Sequence, residues 1–267
     1  MPAPGGGRAA GAVALFLSLE HLELRYEPFP IGLARPAIAP ETYDAMAEAF
    51  PSVELFEDFR AMGKPGNKYT LSERENLRAY LDFVRSRPLW REFHRQVKSQ
   101  AFIQGVLEAL RQRYVDLGFR PTTAWQRMRS RLGDLIRGRV SPQSLRLRSR
   151  FEFSALPADG GQVVPHTDSV SKIVTLVCSM ARKGEWDPAW GGGLDLNRPR
   201  HPRLAFNQLN RLADFDEMEV IDTYPYEPNQ CVVFVKTWNS WHSVRPMTGP
   251  GSNALRKTLT IVIETPR

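Results

Sequence analysis

The sequence predicts one α+β domain, mainly β, in which N-terminal helices support a β-rich C-terminal core. Two patterns predict this division. Between residues 40 and 140 apolar side chains recur mostly at helical spacing, whereas between residues 145 and 265 they alternate with polar ones or form short apolar runs. With 267 residues, of which 42% are hydrophobic, the chain can bury a substantial core.

The N-terminal end combines a stretch rich in Gly, Ala and Pro with a short apolar run at residues 12–19. We expect residues 1–20 to form a disordered tail and residues 21–267 to form the domain. The run lacks the strongly basic start and the cleavage site of a signal peptide, and it is too short to span a bilayer. The sequence therefore predicts a cytoplasmic protein without a transmembrane segment, and it leaves peripheral membrane contact by this run open.

Local patterns predict the elements that precede residue 120. Apolar residues alternate with charged ones at residues 22–27, which is the period of a half-buried strand, and a second extended piece is expected at residues 31–38. Three helices should follow: one over residues 40–50, one opened by a capping box of Ser72 and Glu75 and ending near Pro88, and one over residues 89–117. The aromatic residues of the third helix should pack as core against a sheet.

The C-terminal half begins with an alternating strand at residues 145–154, which has one apolar face and one charged face that includes Arg148 and Arg150. Either arginine could enter a cavity or stay exposed. Further strands are predicted at residues 172–180, 218–224 and 231–236. Cys178 and Cys231 lie in such runs and form no Cys-x-x-Cys pair, which predicts buried free thiols in a reducing compartment.

The candidate metal ligands are His166, Asp168 and His242. His166 and Asp168 stand two positions apart after an apolar run, so in an extended chain both side chains would lie on one side. His242 follows 74 positions after Asp168. Two imidazoles and one carboxylate on one face of an octahedron are the ligand set of non-haem Fe(II) oxygenases. A His-x-Asp pair alone is a common chance match, and a lone histidine is more often a packed or solvated side chain.

The last strand-like run, residues 255–264, favours the metal interpretation because its two faces differ in character. One face is mostly polar and suits a cavity; it holds Arg256, Thr258, Thr260, Val262 and Glu264. The other face suits a core; it holds Lys257, Leu259, Ile261 and Ile263. An arginine on the cavity face could bind a carboxylate through two parallel hydrogen bonds.

Together these residues resemble the Fe(II)- and 2-oxoglutarate-dependent dioxygenases, whose pattern is His-x-Asp, a distal His and then Arg-x-Ser/Thr in a double-stranded β-helix. The resemblance covers residues 145–264 and includes a glycine-rich turn before Leu194. It implies a jelly-roll, cupin-like core. It also implies His166, Asp168 and His242 as the iron ligands that carry catalysis, Arg256 as the cation that binds 2-oxoglutarate, and Thr258 as its hydroxyl partner.

The resemblance implies an enzyme that hydroxylates an unactivated C–H bond with Fe(II) and 2-oxoglutarate, releasing succinate and CO2, with ascorbate as a candidate reductant. Halogenation is not expected, because the related halogenases have a small residue in place of Asp168. Desaturation, ring closure and demethylation stay open. Residues 26–30 and 169–172 also resemble bacterial dioxygenases of surface-polysaccharide synthesis, including Kdo hydroxylases, which implies a sugar or glycolipid substrate.

The charge of the chain favours some classes of binding partner over others but does not identify the partner. The chain carries a formal net charge of +7, and arginine is dense between residues 111 and 150. No zinc-finger, RNA-recognition or helix-turn-helix signature accompanies this charge, so we expect an anionic small molecule, glycan or lipid head group rather than nucleic acid.

Two alternatives to the proposed class of enzyme remain: a non-catalytic β-helix module that binds a sugar or a metal, and a cupin-like metalloenzyme that does not use 2-oxoglutarate. The sequence does not predict the oligomeric state.

Overall fold

The computed structural model of this chain describes residues 16–58, 61–63 and 67–266. Within them, the helices are α1 (Pro40–Glu48), α2 (Leu77–Ser86), α3 (Pro88–Val97), α4 (Gln100–Arg111) and α5 (Ala124–Arg137). The strands are β1 (Glu23–Arg25), β2 (Ile31–Ala34), β3 (Glu57–Asp58), β4 (Tyr69–Ser72), β5 (Arg148–Pro157), β6 (Val163–His166), β7 (Lys172–Ser179), β8 (Leu194–Pro199), β9 (Met218–Tyr224), β10 (Cys231–Val235), β11 (His242–Val244) and β12 (Leu255–Glu264).

These strands form two antiparallel sheets. The larger sheet has the order β1-β2-β10-β7-β12-β5-β4-β3, and the smaller has the order β6-β11-β8-β9. A cavity lies between them, lined by β5, β7 and β12 of the larger sheet and by β6, β8 and β11 of the smaller. The prediction of a mainly β architecture with a few supporting helices is therefore confirmed.

Helices cover the opposite face of the larger sheet. Trp90 of α3 packs edge-on against Phe153 of β5, with 4.8 Å between ring centroids, and Phe93 packs against Phe151 at 5.2 Å. The same buried core contains the apolar positions of β12, namely Leu259, Ile261 and Ile263. The predicted faces of β5 and β12 are confirmed, since their apolar positions pack under the helices while polar positions of both strands line the cavity.

Two helix predictions need correction. The N-cap of α2 is Asn76 and not Ser72, which ends β4 and bonds to Glu75 ahead of the helix. The helix predicted over residues 89–117 is two helices, α3 and α4, and the hydroxyl of Ser99 caps the second. Both errors concern capping residues, whose partners are decided by the local path of the chain.

The N-terminal boundary also moves. Residues 1–15 of the predicted tail lie outside the described residues, so that part of the prediction is not addressed. Leu17 and Leu19 are buried in the main core, and the backbone N–H of Ser18 donates to the carbonyl of Ala37 at 2.8 Å. The folded domain therefore includes residues 16–20, which the sequence assigned to the tail.

Three smaller findings complete the fold. Residues 40–140, predicted as helical support, also contribute β3 and β4 to the edge of the larger sheet beside β5. Cys178 and Cys231 are free and buried as predicted, and they stand opposite each other on β7 and β10. None of the helices in the described part of the chain is long and apolar enough to cross a membrane.

Candidate metal centre

Three potential metal ligands, His166, Asp168 and His242, converge in the cavity between the sheets. β6 ends at His166 and β11 begins at His242, and the two histidines are direct antiparallel partners, with 4.2 Å between their ring centroids. One ligand atom from each of the three residues lies within 4.8 Å of the others. Strand pairing thus brings the distal histidine to the His-x-Asp pair.

Asp168 reaches this site by a route that the sequence did not predict. Extended chain was expected to hold it beside His166, but β6 ends at His166 and Asp168 has a φ of 72°. This left-handed conformation is unfavourable for most side chains and is better tolerated by Asp and Asn. The hydroxyl of Thr175 on β7 donates to the Asp168 Oδ2 at 2.9 Å, and Oδ1 lies 3.4 Å from the His166 Nε2. Surrounding contacts therefore aim the carboxylate.

Backbone carbonyls orient both imidazoles. The Nδ1 of His166 lies 2.9 Å from the carbonyl of Val164, and the Nδ1 of His242 lies 2.9 Å from the carbonyl of Ser240. A carbonyl can only accept, so each Nδ1 carries a proton, and in the neutral form of either ring the lone pair is on Nε2. Burial, followed by the charge of His166, lowers the pKa of His242 to about 3, so His242 is neutral at physiological pH. Both rings therefore present a metal-binding nitrogen.

Lys172, at the start of β7, contacts the candidate carboxylate ligand. Its Nζ lies 2.5 Å from the Asp168 Oδ1. Burial alone would raise the pKa of Asp168, but the charge of Lys172 and the neighbouring imidazoles hold it well below its usual value. Asp168 is therefore ionised, as a metal ligand must be. This contact fixes the direction of the Lys172 side chain, which the sequence alone does not reveal.

The residue between the two ligands is fixed by partners from distant segments. The hydroxyl of Thr167 donates to the carbonyl of Asn207 at 2.7 Å and accepts from the Nζ of Lys236 at 3.1 Å. The hydroxyl of Ser240 donates to the Thr167 carbonyl at 3.1 Å. Sequence reasoning missed these supporting residues, because isolated polar side chains in loops carry no pattern that reveals their partners. They fix the loop that carries Asp168.

Arg256 of β12 lies on the cavity face, as its register predicted. Its side chain is buried, its Nε donates to the carbonyl of Gly192, and its guanidinium lies 4.8 Å from the centre of the Tyr226 ring. Burial lowers the pKa of Arg256 to about 10, so it remains charged at neutral pH. No carboxylate of the described residues forms an ion pair with it. Thr258 follows on the same face and is also buried.

Gly192 makes room for this arginine. Its φ is 86°, a conformation that side chains disfavour. A Cβ there would lie 3.2 Å from the Cδ of Arg256, 3.0 Å from the Sδ of Met247 and 3.1 Å from the Trp186 ring. A side chain at position 192 would therefore press on the arginine that the cavity presents. The glycine-rich turn noted in the sequence has this packing function.

A second charged group lines the cavity away from Arg256. Lys68 Nζ lies 2.7 Å from Glu152 Oε1, and both side chains line the cavity, whose volume is about 110 Å³. Burial opposes ionisation of Glu152, yet the charges of Lys68, Arg150 and Lys172 lower its pKa to about 2. Arg150 is buried behind Glu152 and beside Glu264 and does not line the cavity itself.

Comparison with known proteins gives likeness to solved structures alone. No family model matches the sequence, and no curated protein matches it. A prolyl-4-hydroxylase from Pseudomonas putida is 14% identical over 88% of this chain and 91% of its own, with a TM-score of 0.41. The α-ketoglutarate-dependent epimerase SnoN of nogalamycin biosynthesis is 13% identical over 90% and 78%, with a TM-score of 0.43. An oxidoreductase of the 2OG-Fe(II) oxygenase family from Burkholderia pseudomallei is 11% identical over 88% and 84%, with a TM-score of 0.44. The functional argument therefore rests on the residues of the cavity.

Proposed function

We propose that this protein is an Fe(II)- and 2-oxoglutarate-dependent oxygenase that hydroxylates a C–H bond of a small, sugar or glycolipid substrate. One observation carries the proposal. A cluster of two histidines and one carboxylate shares a single cavity with a buried, charged arginine that has no carboxylate partner among the described residues. A metal site alone would not require that arginine, whose guanidinium lines the cavity with a backbone carbonyl and the Tyr226 ring as its neighbours.

The donor set fits Fe(II). Two imidazoles, of which that of His242 is neutral, and one ionised carboxylate match the facial triad of non-haem iron oxygenases, which leaves coordination positions for other ligands. His166, Asp168 and His242 would hold the ion. Thr175 and the backbone carbonyls behind the histidines would keep the ligands oriented, and such outer contacts commonly affect metal affinity by about 10- to 100-fold.

Arg256 fits the distal carboxylate of 2-oxoglutarate. Its planar guanidinium can donate two parallel hydrogen bonds to a carboxylate, and burial strengthens the attraction by excluding water. The hydroxyl of Thr258 on the same face can add a third donor. When bound, iron and 2-oxoglutarate supply an O2-dependent oxidation in which 2-oxoglutarate is converted to succinate and CO2.

The chain itself would orient the substrate and keep water away. Phe234 packs against the His242 ring with 4.5 Å between centroids, and several apolar side chains complete the lining. The Lys68–Glu152 pair could bind polar groups of a substrate at the end of the cavity away from Arg256.

The two antiparallel sheets that enclose the cavity support a jelly-roll core. We keep the cytoplasmic location as a prediction.

Oxygen consumption by purified protein tests the proposal. With Fe(II) present and ascorbate added to keep it reduced, 2-oxoglutarate should stimulate O2 uptake and yield succinate and CO2 even without the natural substrate. A binding module would retain iron and consume no 2-oxoglutarate. A cupin-like metalloenzyme would turn over a substrate with no 2-oxoglutarate requirement. Either result would contradict the proposal. If 2-oxoglutarate does stimulate O2 uptake, product mass with candidate sugars and glycolipids would identify the substrate.

A further inference from the structure

Helix α5 exposes a continuous apolar stripe. Five large apolar side chains of this helix are between 56% and 80% exposed: Trp125, Met128, Leu132, Leu135 and Ile136. At about 100° per residue they occupy one arc roughly 100° wide. Isolated apolar residues on a surface are normal, but a contiguous stripe commonly marks an interaction site.

The segment that directly follows α5 holds the helix by its other side. The carboxylate of Asp134, which is buried, accepts from the backbone N–H of Ser141 at 2.7 Å and from its hydroxyl at 2.8 Å. Arg131 donates from Nε to the carbonyl of Ser144 at 3.0 Å. A capping box begins the helix at Thr123, and Gly138 ends it. The helix is thus anchored with its apolar stripe outward, and no described segment packs over it.

The stripe is surrounded by positive charge. Residues 120–140 contain six arginines and one acidic residue, and that acidic residue is the buried Asp134. The arginines are Arg120, Arg127, Arg129, Arg131, Arg137 and Arg139. A second copy of the chain placed stripe to stripe would bring these arginines together, and like charges repel. An anionic surface would match both the charge and the apolar stripe.

A concave basic surface adjoins the stripe, and we call it the basic cleft. It has a volume of about 620 Å³ and lies at one end of β5 and β12. Six cations and two carboxylates line it: Arg74, Lys98, Arg131, Arg146, Arg148 and Arg150 with Glu73 and Glu264. Arg131 belongs to α5 and stands three positions after Met128 and four before Leu135, so it is their neighbour on the helix surface. The edge of the stripe therefore coincides with the rim of the basic cleft.

We propose that α5 and the basic cleft form one docking surface for an anionic phospholipid bilayer. The apolar stripe lies among the lipids at the interface, as basic amphipathic helices with Trp and Leu on the apolar face do. The surrounding arginines attract the negative surface, and the basic cleft receives a head-group phosphate. This inference concerns residues that do not line the metal cavity and does not rest on the proposed function.

Vesicle flotation tests the apolar stripe. The full-length protein should float with vesicles of phosphatidylcholine containing phosphatidylglycerol and should not float with phosphatidylcholine alone. The double substitution Leu135→Asp with Ile136→Asp should reduce flotation by about ten-fold or more, because it places charge in the apolar interface. Leu209→Asp is the matched control, since Leu209 is a similarly exposed leucine on a loop outside α5. Equal loss in both variants, or no flotation of the wild type, overturns the proposal.

Four further measurements keep the test decisive. Arg129→Gln with Arg146→Gln should weaken flotation several-fold, and rising salt should weaken it in the wild type. Inorganic phosphate should compete only weakly, since it lacks an apolar part; full competition would assign the cleft to a free anion instead. If sedimentation shows a dimer that the Leu135 and Ile136 substitutions dissociate, the stripe is a contact between copies and the proposal fails. None of these measurements requires iron or 2-oxoglutarate, so a failure here is distinguishable from a failure of the proposed oxygenase.

Discussion

The two faces of the larger sheet differ as sharply as a protein interior and an active site do. On the helix side, β12 contributes Leu259 and Ile261 to a dense core that also holds the aromatic rings of β5 and α3. On the cavity side, the alternate positions of the same strand are Arg256, Thr258 and Thr260. Alternate positions of one strand therefore face the core and the cavity separately.

This contrast also explains why the cavity tolerates polar groups. Buried polar atoms are unfavourable unless they are paired, and here the pairing is supplied by neighbours on the cavity side. Thr175 and Lys172 satisfy Asp168, and Lys68 satisfies Glu152. The separation of the faces predicts that substitutions on the cavity face can abolish function without changing stability. Substitutions on the core face should lower stability without changing function.

The largest effect should come from the metal ligands. His242→Ala removes one of only three protein ligands, and we expect the loss of stoichiometric Fe(II) binding and a fall in oxidation by about 100-fold or more. The midpoint of thermal unfolding should change little in the absence of iron. His201→Ala is the control, because His201 is exposed and outside the cavity. Wild-type activity of the His242 variant at low iron would refute the ligand assignment.

The core face should show the opposite result. Ile261→Ala leaves a cavity under the helices, and we expect the free energy of unfolding to fall by about 2–5 kcal/mol, measured by urea denaturation. Iron affinity of the folded variant should be unchanged. Thr260→Ala, one position away on the cavity face, should alter stability by less than about 1 kcal/mol. Equal destabilisation by the two substitutions would contradict the assignment of the faces.

The division between the faces could be predicted from the sequence because it is local. The two-residue period of β12 fixes which side chains share a face, and the order His166, Asp168, His242, Arg256 identified the candidate ligands and cation. The left-handed backbone at Asp168 and the contact of Lys172 could not be predicted, since they depend on how the turn between β6 and β7 carries the chain from the smaller sheet to the larger one. The start of α4 at Gln100, after its N-cap Ser99, was missed for a different reason: the helical spacing of apolar residues continues across the break between α3 and α4.

A smaller effect is expected at the carboxylate-binding position. Arg256→Ala should raise the 2-oxoglutarate concentration needed for half-maximal O2 uptake by about one to two decades, equivalent to roughly 1.5–3 kcal/mol for a hydrogen bond to a charged group. Iron binding should remain. Lys257→Ala is the matched control, because Lys257 lies on the other face and pairs with Glu185. A larger effect at Lys257 than at Arg256 would require the opposite strand register.

The smallest effect concerns an ion pair outside the cavity. Burial opposes ionisation of Glu73, but hydrogen bonds from His94 and Lys98 lower the pKa of Glu73 to about 2. Because the pKa of Glu73 is lower in the folded than in the unfolded protein, ionised Glu73 stabilises the fold at pH values above the ordinary glutamate pKa of about 4.3. This contribution disappears as the pH falls from there towards 2. Over this pH range the free energy of unfolding of the wild type should therefore fall by on the order of 1–2 kcal/mol, whereas that of Glu73→Gln should not show this fall. Parallel denaturation curves for the two proteins at every pH would exclude the ion pair as a contributor.

The central claim is that β12 presents Arg256 to a carboxylate held beside an iron ion. Calorimetric titration of 2-oxoglutarate into the protein without oxygen measures this directly. Binding should be tight with Fe(II), much weaker without it, and weaker by about 10- to 100-fold in Arg256→Ala with Fe(II) present. Binding that is indifferent to both the metal and Arg256, or its complete absence in the iron-loaded wild type, would contradict the claim.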